Sequence, residues 1–292
     1  MHVLITGANG SVGRFIVKRL LDDGHAVTVL GRRPLEDWPV DFIGYDLAEK
    51  SLQLPEADAL VHCALQHVPG KFRGGEGDDP HGFIRQNVEG TQLLFEVAKE
   101  TGIKHCVFLS SRAVYTDTGN WTVLGEVAET QPGTLYGQAK LAGEEAMKTL
   151  VETEFLGSVL RATGVYGLPP GKREHKWSGL FQRFENGKEI APRLGTEVHG
   201  DDLADAVSLL LQKRPFTGSL FEVYNVSDLL LDRQDLLSRY ARLKNITAPV
   251  PQRADEALGV MDTGKLKVLG WNPGGDRRLQ DFLESQCAEG ER

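Results

Sequence analysis

The sequence predicts an α/β fold in which a parallel sheet is covered by helices on both faces. Three observations carry this. Short, nearly continuous apolar runs alternate with stretches of helical periodicity over residues 1–165, the pattern of strands buried on both sides. A glycine-rich stretch, "TGANGSVG", joins the first apolar run to the first helical one. The composition, 40% hydrophobic and 25% charged over 292 residues, is that of an ordinary globular chain, long enough for one large or two modest domains.

The first strand is "HVLIT" (2–6), stopped by Gly7. "SVGRFIVKRLLDDG" (11–24) spaces its apolar residues for a helix and ends on a glycine. "HAVTVLG" (25–31), "VDFIGYD" (40–46), "ADALVHCAL" (57–65) and "HCVFLSS" (105–111) read as the second to fifth strands. Between the last two lies a long helix, "GFIRQNVEGTQLLFEVAKETG" (82–102); another begins in "TLYGQAKLAGEEAM" (134–147). A sixth strand, "GSVLRATGVYG" (157–167), runs into a loop. The second half is less regular, with helices expected at 179–188, 201–213, 232–243 and 277–286 and a strand at 219–226. The expected organisation is a doubly wound sheet domain over 1–165 and a smaller, partly interleaved domain over 166–292, some of whose segments return to the first. The loop 66–82, with five glycines and two prolines, follows the fourth strand at the carboxyl edge of the sheet, where α/β proteins bind ligands, and is expected to be mobile.

Bulk properties exclude several classes. Lys plus Arg number 33 against 41 for Asp plus Glu, a formal net charge of −8 that repels phosphate backbones. Nucleic acid is not an expected partner; the densest basic run, "GKREHK" (171–176), is short. Cys63, Cys106 and Cys287 form neither a disulfide framework nor a CxxC pair and read as free thiols in a reducing compartment. The eight histidines show no ligand spacing, so no metal is expected. Met1 and His2 lead straight into "VLITGANG", without the features of a signal peptide. No apolar run approaches the ~20 residues of a membrane span. A cytoplasmic protein without membrane contact is expected.

The glycine stretch points to chemistry. Gly7 permits a tight turn, Gly10 a close backbone approach to a pyrophosphate, and Gly13 packing of the helix on the strand. Asn9, Ser11 and Val12 complete the turn and open the helix, whose N–H groups and partial positive charge suit phosphate. A dinucleotide site of the Rossmann type is expected. At the end of the second strand stand Gly31, Arg32 and Arg33, where a carboxylate would bind the ribose hydroxyls of NAD. An arginine there accommodates a 2′-phosphate, although two solvated arginines would look the same in sequence. NADP(H) is therefore expected over NAD(H), which stays possible. Asp46 is placed to accept a hydrogen bond from the adenine amino group. Tyr136 and Lys140 lie four residues apart on one helical face; they form either an aromatic ring packed on an aliphatic stem or an acid–base pair.

In its ordered motifs the chain resembles the extended short-chain dehydrogenase/reductase family, the NAD-dependent epimerase/dehydratase group, over nearly its whole length. "TGANGSVG" resembles TGxxGxxG, "YDL" (45–47) the DL at the adenine, and "HCAL" (62–65) the cofactor-contacting segment after the fourth strand. "NVEGT" (87–91) matches NVxGT, "SSRAVY" (110–115) matches SSxxVY, and "YGQAK" (136–140) matches YxxxK. "LRATGVYG", "VHGDDLADAV", "VYNV" and "LGWNP" are similar to later blocks. The resemblance implies that Tyr136 exchanges a proton with the substrate oxygen, that Lys140 lowers the phenol pKa and holds the nicotinamide ribose, and that Ser111 holds the substrate oxygen. Strand alternation lets only one of Ser110 and Ser111 face the site, and the family pattern favours Ser111. It further implies cofactor contacts from Leu47, Cys63, Ala64, Leu65 and Asn87, and a homodimer packed through helices around 82–101 and 135–151.

Two departures concern substrate. Sugar-nucleotide members usually carry asparagine in the loop after the sixth strand, where this chain has Gly164; they often place an arginine before the VHVDD block, where it has Gly195, Thr196 and Glu197. Losing an amide and a cation weakens the case for a nucleotide diphosphate, although Arg193, Lys172 or Arg173 offers a replacement. His67, Arg73 and Arg112 are further candidates for an anionic substrate. Asp201 and Asp202 open a helix and read as N-terminal charges rather than a catalytic pair, with His199 structural. The expected function is hydride transfer between NAD(P) and a hydroxyl or ketone of a small polyhydroxylated or carbohydrate-like substrate. The alternatives are a nucleotide-sugar epimerase or dehydratase with tightly held cofactor, and a non-catalytic NADP(H)-sensing regulator.

Overall fold

A computed structural model describes residues 1–36, 38–68, 75–116, 119–213 and 218–288. In chain order the elements are β1 (His2–Thr6), α1 (Ser11–Asp22), β2 (Ala26–Gly31), β3 (Asp41–Gly44), β4 (Ala59–His62), α2 (Pro80–Glu100) and β5 (His105–Ser111). A 3-10 turn (Arg112–Val114) leads to β6 (Thr122–Leu124), α3 (Leu135–Leu150), β7 (Leu156–Ala162), β8 (Gly164–Tyr166), α4 (Ser178–Glu185), β9 (Leu194–His199) and α5 (Gly200–Gln212). The chain ends with β10 (Phe221–Val226), β11 (Leu229–Asp232), α6 (Arg233–Lys244), β12 (Gly259–Met261), α7 (Gly264–Val268) and α8 (Gly275–Ala288).

The main sheet has seven strands in the order β10-β7-β5-β4-β1-β2-β3, and every pair in it is parallel. Alternation along the strands divides its apolar residues between two layers. Val3 and Ile5 point to one face, where Phe15, Ile16 and Leu20 of α1 meet Leu203, Val207 and Leu210 of α5. Leu4, Leu60 and Phe108 point to the other, against Leu94 and Phe95 of α2 and Met147 of α3. Continuous apolar runs are thus needed because both faces are covered. β10 joins this sheet from the second half of the chain. A third core, around Tyr166, Trp177, Phe181, Tyr240 and Phe282, is built from α4, α6, α8 and the segments leading into them.

The sixth predicted strand divides into two. β7 ends at Ala162, and β8 starts a separate three-stranded sheet in the order β11-β9-β8. The break falls at Thr163, whose N–H still bonds Val226 O (3.1 Å) while its hydroxyl donates to Thr196 O (2.6 Å). The chain is handed there from one sheet to the next. β6, β9, β11, β12 and α7 have no counterpart in the sequence reading. They run only three to six residues, too short for a period to register. Part of the loop expected to be mobile, residues 69–74 with Arg73, lies outside the described residues.

Candidate functional site

The glycine turn sits at the carboxyl end of β1. Gly7 adopts φ +71°, open to glycine but strained for other residues, and a Cβ on it would come within 2.7 Å of Ala64 N. A Cβ on Gly13 would reach Ala8 Cα at 2.8 Å and overlap Gly7 O. α1 therefore abuts the turn itself. Its N-cap, Gly10, supplies no side-chain cap, so the first N–H groups of the helix are left to an anion. Asn9 ties the turn to the end of β2 through its amide, which donates to Arg33 O (2.8 Å). At that corner the Arg32 guanidinium is solvent-exposed and lies 3.8 Å from Asp46. The other Asp46 oxygen accepts from Ala48 N (2.9 Å), and Leu47 is buried behind it. The uncapped helix start and a turn without side-chain bulk fit a dinucleotide pyrophosphate.

The segment after β4 is held by a hydroxyl network that sequence reading missed. Thr6 Oγ1 accepts from both Cys63 N and Ala64 N (3.1 Å each). Its own proton must then go to His62 Nδ1, 2.6 Å away, which leaves Nε2–H to donate to Thr91 Oγ1 at 3.0 Å. His62 is fully buried, and burial followed by the Lys140 charge holds its pKa well below the usual value. The ring is thus a fixed, neutral spacer. Burial likewise pushes the Cys63 thiol up to about 12, so it is no thiolate. Asn87 is used up locally: it accepts from Gln66 N (2.7 Å) and donates to Gln66 O and Phe83 O. It shapes the segment 64–66 rather than reaching out of it. His67 Nδ1 is bonded at 3.1 Å to Leu65 O.

α3 starts where Thr134 accepts from Gly137 N (3.1 Å), which fixes the turn bearing Tyr136. The phenol is raised above its ordinary pKa by burial, and a hydrogen bond with Ser111 opposes that rise. Ser111 Oγ also accepts from Ala113 N (3.1 Å). Its neighbour Ser110 turns inward and donates to Glu144; of the two serines, Ser111 is the one at the phenol. Lys140 is almost fully buried; its ammonium donates to Leu109 O (2.7 Å) and lies 4.8 Å from the Phe108 ring centre. Burial lowers its pKa to about 8, with Cys63 and Glu144 opposing. Ala64, Leu65, Asn87, Thr91, Phe108, Ala139 and Lys140 line a small recess between this helix and the sheet edge.

Below the pair lies a buried charge network. Glu144, one further turn along α3, accepts from Arg161 Nε (3.1 Å) and Nη2 (2.6 Å). Arg161 also donates to Glu126 O (3.1 Å) and stacks on Tyr115, whose hydroxyl donates to Asn225. Two sequence signals pointed here: a carboxylate four residues beyond Lys140, and an arginine within an otherwise apolar strand. Arg112, a candidate for substrate contact, donates twice to Gly259 O (2.9 and 3.3 Å), anchoring β12. Arg173 is exposed in the β8–α4 connection. Gly164 faces a Lys176–Glu197 ion pair. His199 caps α5, accepting from Asp201 N (3.1 Å), whereas Asp201 and Asp202 pair with Arg278. Among the described residues no cluster of His, Cys, Asp and Glu could hold a metal, and no helix is long and apolar enough to cross a membrane.

The family model "NAD dependent epimerase/dehydratase family" matches residues 3–227. The low-salt glycan biosynthesis protein of Haloferax volcanii is 26% identical over 98% of this chain and 97% of its own length. A trifunctional UDP-glucose 4,6-dehydratase/epimerase/reductase of Arabidopsis thaliana is 25% identical over 93% of this chain, which spans 44% of that larger protein. Among solved structures, a UDP-glucose 4-epimerase of Thermotoga maritima with UDP-glucose has TM-score 0.80 at 22% identity, covering 100% of this chain and 99% of that chain. MoeE5 in complex with UDP-glucose and NAD has TM-score 0.80 at 25% identity, with both chains covered in full.

Proposed function

The chain belongs to the NAD-dependent epimerase/dehydratase family, and from that membership we infer that Tyr136, Lys140 and Ser111 carry hydride chemistry at a hydroxyl-bearing carbon of a carbohydrate-like substrate. It is a nicotinamide-dependent enzyme of the extended short-chain type. A bound nicotinamide ring takes up or gives back the hydride. Ser111 holds the substrate oxygen and Tyr136 exchanges the proton on it. A phenol of pKa ~10 exchanges protons sluggishly near neutrality, and burial raises Tyr136 further. Lys140, one turn along the same helix, is the nearby cation that favours the phenolate once substrate displaces water. Gly7, Gly10, Gly13 and the first N–H groups of α1 hold the pyrophosphate, and Arg32, free of an ion pair tighter than 3.8 Å, faces a 2′-phosphate. NADP(H) is the preferred cofactor on this reading, and the homodimer forms through α2 and α3.

The observation that supports the reading most is the closeness of Ser111 to the Tyr136 phenol at the carboxyl end of β5, beside a recess lined in part by Lys140. A second reading, a nucleotide-sugar epimerase or dehydratase, is favoured by MoeE5 having been solved with UDP-glucose and NAD. Net cofactor reduction on adding substrate separates the two, since an epimerase returns the hydride within one turnover. Tyr136→Phe is the test of the shared chemistry. The rate falls by about a thousandfold while cofactor affinity is unchanged; a variant with full rate refutes it.

A further inference from the structure

Three consecutive residues of α1 face three different parts of the chain. Gly13 abuts the glycine turn, where a Cβ would overlap Gly7 O. Phe15 meets the start of α5: its ring fills the place a Cβ on Gly200 would take and lies 5.7 Å from the His199 ring. Arg14, between them, reaches the β8–α4 connection and donates from Nη1 to Pro170 O (2.9 Å), 156 residues on. That connection has little freedom of its own. Gly167 and Gly171 hold φ +112° and +72° on either side of Pro169 and Pro170. A Cβ on Gly171 would come within 2.9 Å of Arg14 Nη1, and one on Gly167 within 2.5 Å of His199 Nε2. The segment is thus pinned at both ends to α1, directly by Arg14 and through His199 by Phe15. It also starts beside the site, because β8 begins two residues after Ala162, the register partner of Ser111.

Arg14 is an unfavourable place for a cation. It is half-buried, and its Nε–H is buried without an acceptor. Burial lowers its pKa, and no carboxylate opposes that. It stands four residues into α1, whose first turn holds no acid, so the helix dipole works against it. Its backbone N–H makes the opening bond of the helix, to Gly10 O at 3.3 Å, next to the N–H groups that suit a pyrophosphate. An anion on that turn offsets both the dipole and the missing carboxylate.

We propose that Arg14 is a positioning residue that couples the two sides of the site: the cofactor pyrophosphate on the first turn of α1 steadies its guanidinium, which through Pro170 O fixes the segment 167–177 beside Ser111 before substrate arrives. This rests on the dinucleotide site proposed above. Without the anion, the helix end repels the guanidinium and its bond to Pro170 O is weak. With the anion, the bond persists and the proline-bearing segment transmits it, since two left-handed glycines and two prolines leave the segment few other shapes.

The test is hydrogen–deuterium exchange of the full chain, read by mass spectrometry with and without saturating NAD or NADP. The reporters are the amides of 171–178, among them Lys172 N–H, bonded to Pro169 O at 2.9 Å, and Ser178 N–H, bonded to His175 O at 3.0 Å. In the parent, cofactor slows their exchange about threefold or more, the scale of one charge at a helix end, and slows the glycine turn as well. In Arg14→Met, which keeps the stem and loses the charge, cofactor still protects the glycine turn but no longer the reporters. A merely structural Arg14 would shift the reporters equally with and without cofactor, and that outcome overturns the coupling. So does protection of the reporters that persists in Arg14→Met. The parent decides the matter even if the variant fails to fold: a protected glycine turn with unaffected reporters refutes the coupling and leaves the dinucleotide site standing. Absence of protection at both places with either cofactor refutes the dinucleotide site, and the coupling with it.

Discussion

Removing the Glu144 carboxylate is expected to destabilise the protein far more than removing the whole ion pair of which it is half. Glu144 and Arg161 side chains are 3% and 7% exposed, and they meet through two well-formed N–H bonds at 2.6 and 3.1 Å. Glu144→Ala leaves the guanidinium buried beside Tyr115 with a backbone carbonyl as its remaining partner. Stranding one member of a buried pair costs about 3–5 kcal/mol. At roughly 2–4 °C per kcal/mol for large domains, Tm falls by on the order of 10 °C. Glu144→Leu combined with Arg161→Met replaces the pair by apolar volume and is close to neutral, within about 1 kcal/mol. Ser110 loses its acceptor in both variants, so that loss cancels in the comparison. Urea unfolding followed by far-UV circular dichroism, with equal slopes as the check that the same surface is exposed, yields the cycle. Were Glu144→Ala to lie within about 1 kcal/mol of the parent, the network would be solvated and the pairing of α3 with β7 through it incidental.

Lys140→Met removes an ammonium whose burial lowers its pKa from 10.5 to about 8, a penalty of about 3 kcal/mol that the lost bond to Leu109 O only partly offsets; Tm at pH 7 rises while activity disappears. The sign follows from linkage: the folded state sheds this proton first, so the parent gains stability as pH rises from about 8 toward 10.5, a gain the variant lacks in thermal melts across that range. Gly13→Ala forces a Cβ to 2.8 Å from Ala8 Cα, a backbone atom that cannot rotate away; the turn shifts and cofactor affinity by fluorescence titration falls at least about tenfold. Arg32→Ala, at an exposed position, leaves Tm unchanged and weakens NADP but not NAD by about tenfold; equal loss of both would assign Arg32 no role in cofactor choice.

The main sheet and its helices were legible because their signals are long and redundant. Seven-residue β5 and the 21-residue α2 each present an apolar period that nothing competes with. The glycine turn was legible because its residues are constrained by backbone geometry alone. What stayed hidden depends on contacts between distant segments. Nothing in "HCAL" states that the His62 ring bonds Thr6, 56 positions earlier. Nothing near Arg112 states that its guanidinium anchors the Gly259 carbonyl, 147 residues on. Thr163 ends a strand through a hydroxyl bond to Thr196, which no local propensity encodes. Gly164 was noticed as a missing asparagine, but its meaning, room for Lys176, needs the third dimension.

The four-residue spacing of Tyr136 and Lys140 has a reason other than the one that first suggests itself. Burial raises the phenol and Ser111 opposes it, while burial lowers the ammonium and Cys63 and Glu144 oppose it. What they share is one strand. Ser111, at the end of β5, bonds the phenol, and Leu109, two residues earlier, accepts from the ammonium. Four residues of α-helix rise about 6 Å, and two residues of parallel strand rise about 6.6 Å. α3 thus lies along β5 with its repeat matched to that of the strand, and each working side chain finds its own strand residue. A spacing of five would carry the lysine off the helical face, and a spacing of three would leave it about 1.5 Å out of step with the strand. The Tyr–Lys interval is therefore a docking register between helix and strand, and the chemistry of the pair is a consequence of where that register leaves the phenol.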